Sequence, residues 1–179
     1  MMYKTVKDSE VVLSQLMLPS HSNFDGKIHG GFLLNLMDQI AFASASKFSG
    51  SYCVTASVDR VDFLNPIEVG ELVTLKSSIN YVGNSSMVIG IRVEAQNIQT
   101  DVVKHCNSSY FTMVAKKEGF PVKVPRLILK NEEEIRRFYN SINRIQFRKT
   151  RENIEVKTDF TSEKSIQFLV ENYDLKVEI

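Results

Sequence analysis

The chain reads as an α+β protein in which an antiparallel sheet wraps one long apolar helix, and three observations carry that reading. The run from Phe32 to Ala45 is apolar or small on nearly every helical face, as in a helix buried all round. From Val54 to Lys116 the pattern changes to alternation with a period of two, the signature of strands with one buried face. Turn-forming clusters at Gly83-Asn84-Ser85-Ser86 and Gln99-Thr100-Asp101 divide that stretch into hairpins. A fully apolar helix beside such a sheet is buried only if the sheet curls around it.

The elements follow in order. Val11 to Leu18 reads as a first strand closed by Pro19-Ser20, and the helix then occupies roughly Gly31 to Phe48, ending at Ser49-Gly50. Val54, Ala56, Val58 and the Val61/Phe63 pair mark a strand ended by Asn65-Pro66. Val73, Leu75, Ser77, Ile79 and Tyr81 form one face of the next, and Met87, Ile89, Ile91, Val93 and Ala95 the matching face of its return. Val102 to Lys116 completes the set. Beyond Pro121 and Pro125 a helix begins at Asn131, with Glu134 at capping-box spacing and an apolar stripe of Ile135, Phe138, Tyr139, Ile142 and Ile145. A shorter amphipathic pattern follows at Ile166, Leu169, Val170 and Tyr173.

At 179 residues the chain suits one main domain with an appendage. Its formal charge of +1, from 22 basic and 21 acidic residues, supplies no whole-molecule field to attract nucleic acid or a membrane surface. The N-terminus lacks an apolar secretory core, and Asn35, Asp38 and Lys47 interrupt the longest apolar stretch, so neither export nor a membrane span is expected. Cys53 and Cys106 lack CxxC spacing and read as free thiols in a reducing cytoplasm.

Asp38 is the residue that composition does not explain. An ionised carboxylate buried in an apolar helix costs several kcal/mol unless it is paired, and Asp is a poor residue for a helix interior. Upstream, Asn23-Phe24-Asp25-Gly26-Lys27-Ile28-His29-Gly30-Gly31 opens into the same helix through two glycines. A loop amide, free helix N-terminal N–H groups and a carboxylate are the parts of a hydrolytic site. The bland alternative for Asp38 is an ion pair across a subunit interface. Gly31 and Asp38 stand seven residues apart, on one face but separated by about 10 Å of rise. One small carbonyl therefore cannot touch both within one chain. His21, Asp25 and His29 lack a fourth ligand and predict no metal, while His105 and Cys106 are strand neighbours that point to opposite faces.

The segments Asn23–Gly31, Leu36-Met37-Asp38, Val54-Thr55-Ala56-Ser57-Val58-Asp59, Phe63-Leu64-Asn65-Pro66-Ile67-Glu68-Val69-Gly70-Glu71 and Gly83-Asn84-Ser85-Ser86-Met87 together resemble the hotdog-fold acyl-CoA thioesterases of the single-domain bacterial type. The resemblance spans Pro19 to about Pro125. It implies a hotdog thioesterase domain over 1–125, a C-terminal helical extension over 126–179, and subunits that join sheets edge to edge. It also implies hydrolysis of fatty acyl-CoA, with Asn23 and Asp38 in the active site and no cofactor beyond the CoA of the substrate. Given the helix rise, Asn23 and the Gly31 amide of one subunit would polarise the thioester carbonyl, while Asp38 of the other activates water or attacks directly. The partners expected are acyl-CoA and further copies of the chain, as a dimer or as a hexamer built from three dimers. Gly83, Asn84, Ser85 and Ser86 would line the CoA cleft, and Arg126 is the candidate for its phosphates; a solvated helix face suffices for the other basic residues nearby. Acyl length would depend on packing around Phe24 and Met37. A hydratase on the same fold would want a histidine near the helix, and none lies between His29 and His105. A non-catalytic acyl-CoA sensor would have no use for the Asn23/Asp38 pair.

Overall fold

The structure, a computed structural model, describes residues 2–157, 159, 161–173 and 175–177. It divides into two compact units, Met1–Ser141 and Ile142–Ile179. In the first, β1 (Tyr3–Thr5) and β2 (Val11–Leu16) precede α1 (Gly30–Ser49). There follow β3 (Tyr52–Val58), β4 (Leu72–Val82), β5 (Ser86–Gln96), β6 (Val103–Lys117), β7 (Phe120–Pro121) and β8 (Arg126–Ile128). The main sheet is antiparallel in the order β2-β4-β5-β6-β3, with β7 added beside β6. Helix α1 packs against each strand from β2 to β6. A curled sheet around a central helix is the hotdog arrangement expected from the sequence.

The periodicities explain the core. Leu33, Leu36, Met37, Ile40, Ala45 and Phe48 of α1 are buried against Val73, Leu75, Ile79, Met87, Ile89 and Met113, which alternate along their strands. Ser44 is tolerated in the middle of this face because its hydroxyl donates to the Ser9 carbonyl at 2.8 Å and meets the Ser77 hydroxyl at 2.7 Å. Helix α1 ends where Gly50 takes a left-handed φ of 69° and its N–H bonds the Ser46 carbonyl.

The strand expected to continue through Val61 and Phe63 stops instead at Val58. Its register slips between Thr55 and Ser57, which turns the chain out of the ladder. The following segment still tracks β6. Asp59 N–H bonds Tyr110, Leu64 N–H bonds Cys106, and the buried Asn107 amide donates to the Asp62 carbonyl. Strands β1 and β8 carry no strong alternation and escaped the sequence reading; they pair in parallel, Lys4 opposite Leu127.

Helix α2 (Glu132–Lys157) starts at the expected cap, with Asn131 Oδ1 accepting from Glu134 N–H at 2.9 Å. The reciprocal bond shifts by one residue, from Lys130 N–H to Glu134. Phe138 packs at a tilt against Tyr81 of the sheet, with ring centroids 5.0 Å apart and planes inclined by 46°. The second unit holds the rest of α2 and α3 (Glu163–Asn172), which is capped by Ser162. Among the described residues no helix is long and apolar enough to cross a membrane.

Candidate active site

The loop before α1 is built around Asn23. Its side-chain oxygen accepts the N–H groups of Asp25 and Lys27, at 3.0 and 3.1 Å, and Gly26 supplies the positive φ of 75° that closes the turn. Lys27 anchors this turn to Glu68 through a 2.6 Å ion pair. That contact raises the lysine pKa and lowers the glutamate's, chiefly through the shared hydrogen bond. Phe24, at the tip, is fully exposed.

The two glycines at the helix start have packing reasons. A Cβ on Gly30 would come within 3.2 Å of the Phe63 ring, and one on Gly31 within 3.0 Å of His29 Nδ1. His29 is the N-cap of α1: its Nδ1 accepts the Gly31 N–H at 2.9 Å. The amide expected to meet a carbonyl oxygen is therefore occupied by an exposed imidazole in this state. The spacing of His21, Asp25 and His29 suggests at most a metal ligand and gives no sign of the cap. Among the described residues no group of three or more His, Cys, Asp or Glu could hold a metal.

Asp38 departs from expectation in its burial. Within the single chain it is exposed, together with Asn35, Gln39 and Phe42. These positions recur at i, i+3, i+4 and i+7 and form one uncovered stripe on α1. Seen in the sequence, the helix looks apolar all round because Phe42 and the small residues mask this stripe; the sheet covers the remaining circumference and leaves it free. The carboxylate is held by Thr55 of β3, whose hydroxyl donates to Oδ1 at 2.6 Å, a short charge-assisted bond. Thr55 lies in a segment singled out by sequence, but nothing in one chain's pattern tied it to Asp38, 17 residues earlier.

Asp38 and Thr55 stand at a cleft of about 510 Å³ lined also by Gln39, Phe42, Tyr52, Cys53, Val54 and Met113. That volume lies within the range of small-molecule sites. Neither Asn23 nor Gly31 lines this cleft, as the helix rise requires for groups of one chain. Phe24 and Met37 are absent from it as well, since Phe24 points outward and Met37 is wholly buried in the core.

The turn Gly83–Ser86 and Arg126 do come together. Arg126 Nη1 donates to the Gly83 carbonyl at 2.5 Å, while Val124 and Ala115 N–H groups bond the carbonyls of Asn84 and Ser85. The turn's carbonyls are thus committed to the protein. Across the sheet, Ser86 and Val54 both pair with Val114, so the turn lies at the same end of the sheet as Thr55. His105 bonds the Asn107 carbonyl and the Ser108 hydroxyl, and Cys106 is buried with its thiol pKa raised by desolvation. A structural pair was expected there.

Residues 25–102 match the thioesterase superfamily. The chain is 42% identical over 144 residues to Protein VdlD of Helicobacter pylori, an alignment covering 80% of this chain and 83% of that protein. It is 36% identical over 146 residues to an uncharacterized acyl-CoA thioester hydrolase, YkhA, of Bacillus subtilis, covering 81% and 85%. Among solved structures, an apo-hexameric acyl-CoA thioesterase superposes with a TM-score of 0.82 at 35% identity, over 84% of this chain and 97% of that one. An acyl-CoA hydrolase from Staphylococcus aureus, solved with butyryl coenzyme A, coenzyme A and coenzyme A disulfide, gives 0.78 at 30% identity over 94% and 99%. Alanine variants of that hydrolase at one asparagine, one aspartate and one threonine have also been solved. The intervals between those three positions equal the intervals between Asn23, Asp38 and Thr55.

Proposed function

This chain belongs to the thioesterase superfamily, and from that membership and the cleft beside Asp38 we propose that it is an acyl-CoA thioesterase, releasing a free fatty acid and CoA. The observation that carries the reading is the Asp38 carboxylate, held by the Thr55 hydroxyl in the lining of a largely apolar cleft. Apolar walls suit an acyl chain, and a carboxylate fixed by one oxygen keeps the other for a water molecule. The matching intervals in the S. aureus hydrolase support the same three residues.

The chemistry follows from what each group can do. Asp38 takes a proton from water, and the oxygen attacks the thioester carbonyl carbon. The developing oxyanion is met by N–H donors: the Gly31 amide at the positive end of α1, and the amide nitrogen of Asn23. The Asn23 oxygen is already committed to its own loop, which leaves the –NH2 as the group that donates. For Gly31 to act, the His29 imidazole must turn away from its N–H. When the C–S bond breaks, the leaving thiolate recovers the proton from Asp38. No cofactor enters this sequence.

Since one chain cannot bring Gly31 and Asp38 to one carbonyl, the site is completed by a second copy. The exposed stripe of α1 and β3, the last strand in the sheet order, supply the surface for such a copy, and hexameric relatives support a homo-oligomer. The free thiols of Cys53 and Cys106 fit a reducing compartment such as the cytoplasm. The turn Gly83–Ser86 and Arg126 remain the proposed contacts for CoA, through turn N–H groups other than that of Gly83, which bonds the Ser86 carbonyl, and the guanidinium N–H groups not spent on Gly83.

Turnover of acyl-CoA substrates, followed by thiol release, tests the reading. Asp38→Asn should fall by about 10²-fold or more, as expected for loss of a general base, while still binding CoA in calorimetry. Full activity in Asp38→Asn would remove the carboxylate from the mechanism.

A further inference from the structure

Besides the Asp38 carboxylate and Thr55, the cleft is lined by an aromatic pair. On α1, Phe42 lies one turn beyond Asp38, and on β3, Tyr52 lies three residues before Thr55. The rings of Phe42 and Tyr52 meet edge to face, with centroids 5.7 Å apart and planes inclined by 62°. Helix and strand are thus bridged twice, by the Asp38–Thr55 hydrogen bond and by this ring pair. The cleft is lined as well by Cys53 and Met113, both buried, and by Gln39 and Val54.

We infer that Phe42 and Tyr52 form the end wall of the acyl pocket and set the acyl length this chain accepts, an inference that rests on the thioesterase reading. The two bridges are separated by roughly 6 Å along the helix and 10 Å along the strand, a span filled by on the order of six extended carbons. Short and medium acyl chains end before the rings. Longer ones meet the ring edges, because an edge-to-face pair has little room to part without losing its own contact. Both aromatic residues are substantially exposed within one chain, at 38% and 65%, so that chain's core does not depend on them. Phe42 also lies on the α1 stripe that meets the second copy, so the solution size of each variant is measured beside its kinetics. Discrimination belongs to Phe42 and Tyr52 rather than to Met37, which is fully buried in the core.

The test is a comparison of kcat/KM for hexanoyl-, dodecanoyl- and palmitoyl-CoA in the full chain and in Phe42→Ala, Tyr52→Ala and the double variant. Ile98→Ala, an exposed apolar residue in the turn between β5 and β6, is the control. The unmodified chain should prefer hexanoyl-CoA. The double variant should raise the dodecanoyl-to-hexanoyl ratio by about tenfold or more, since each added methylene in a fitting pocket is worth roughly that factor. Ile98→Ala should leave the ratio where it was. Gln39→Phe, which narrows the cleft from its flank, should move the ratio the other way and provides an independent reading from the same wall. An unchanged profile in active Phe42 and Tyr52 variants overturns the inference and leaves the thioesterase reading standing. Preference of the unmodified chain for palmitoyl-CoA overturns it equally. Absence of turnover on every acyl-CoA in the unmodified chain overturns the thioesterase reading, and the inference with it.

Discussion

Replacing Thr55 by Val isolates the contact that holds Asp38. Valine keeps the shape and the β-branching that suit a strand, and the position is exposed, so the fold should be unaffected. What disappears is one hydroxyl donor, 2.6 Å from Asp38 Oδ1. The hydroxyl has a single proton; at that distance the carboxylate holds it, and the 3.2 Å approach to the Met113 sulfur is packing. A hydrogen bond to a charged group is worth about 1.5–3 kcal/mol, and exposure puts this one near the lower figure because water can replace it. About 1.5 kcal/mol corresponds to roughly tenfold in rate, and a carboxylate free to swing by an ångström would bring the loss to about a hundredfold. The expected outcome is therefore a kcat lowered ten- to a hundredfold on the best acyl-CoA substrate, with KM little changed. Thr55→Ser, which restores the donor, should recover most of the loss. Thermal unfolding of both variants should match the unmodified protein. Full kcat in Thr55→Val, or equal damage from Val and Ser, would refute the positioning role.

Two further expectations can be checked directly. If Asn23 and Asp38 act across subunits, mixing Asn23→Ala with Asp38→Asn chains after dissociation should restore activity, because half the sites of each heterodimer regain both groups; no recovery despite confirmed exchange would place the pair within one chain. At the start of α2, hydrogen bonds from Arg136 and Arg137 hold the Glu133 carboxyl at about 2, against an ordinary 4.5. A depressed value means that this contact's support for the helix is complete above pH 4.5 and is lost as the pH falls toward 2. An NMR titration of Glu133 should show a midpoint near 2, moving up in Arg136→Gln and Arg137→Gln; a midpoint near 4.5 in the unmodified chain would discard the contact.

Much of the fold was legible because periodicity is a local property. The alternation of Val73 to Ile79 and Met87 to Ala95 predicts β4 and β5 and the face each buries, and the structure pairs Leu75 with Val93 and Ile79 with Ile89 on that face. Tyr81, expected to continue it, leaves the face because the register shifts after Ile79, and Val82 is buried instead. The cap at Asn131 and the stop at Gly50 were equally local. Strands β1 and β8 were not, since three residues have no period to read and their pairing joins opposite ends of the unit. The strand drawn through Val61 and Phe63 failed for a related reason: its residues alternate well enough, but the bulge after Thr55 is set by register against β6.

At the site, the residue types that suggest a hydrolase, Asn23, the glycine pair and Asp38, stand out by sequence alone. The length of α1 places Gly31 and Asp38 too far apart for one carbonyl, and that conclusion needs nothing beyond helix rise. Tertiary structure decided the rest. It put Asp38 on an exposed stripe, because a curled sheet covers one side of α1 and not the other. It joined Thr55 of β3 to Asp38 of α1 and set the Phe42 ring against that of Tyr52 beside the cleft. Each of these is a contact whose geometry depends on how a helix lies against a strand, and no periodicity within either element encodes that angle.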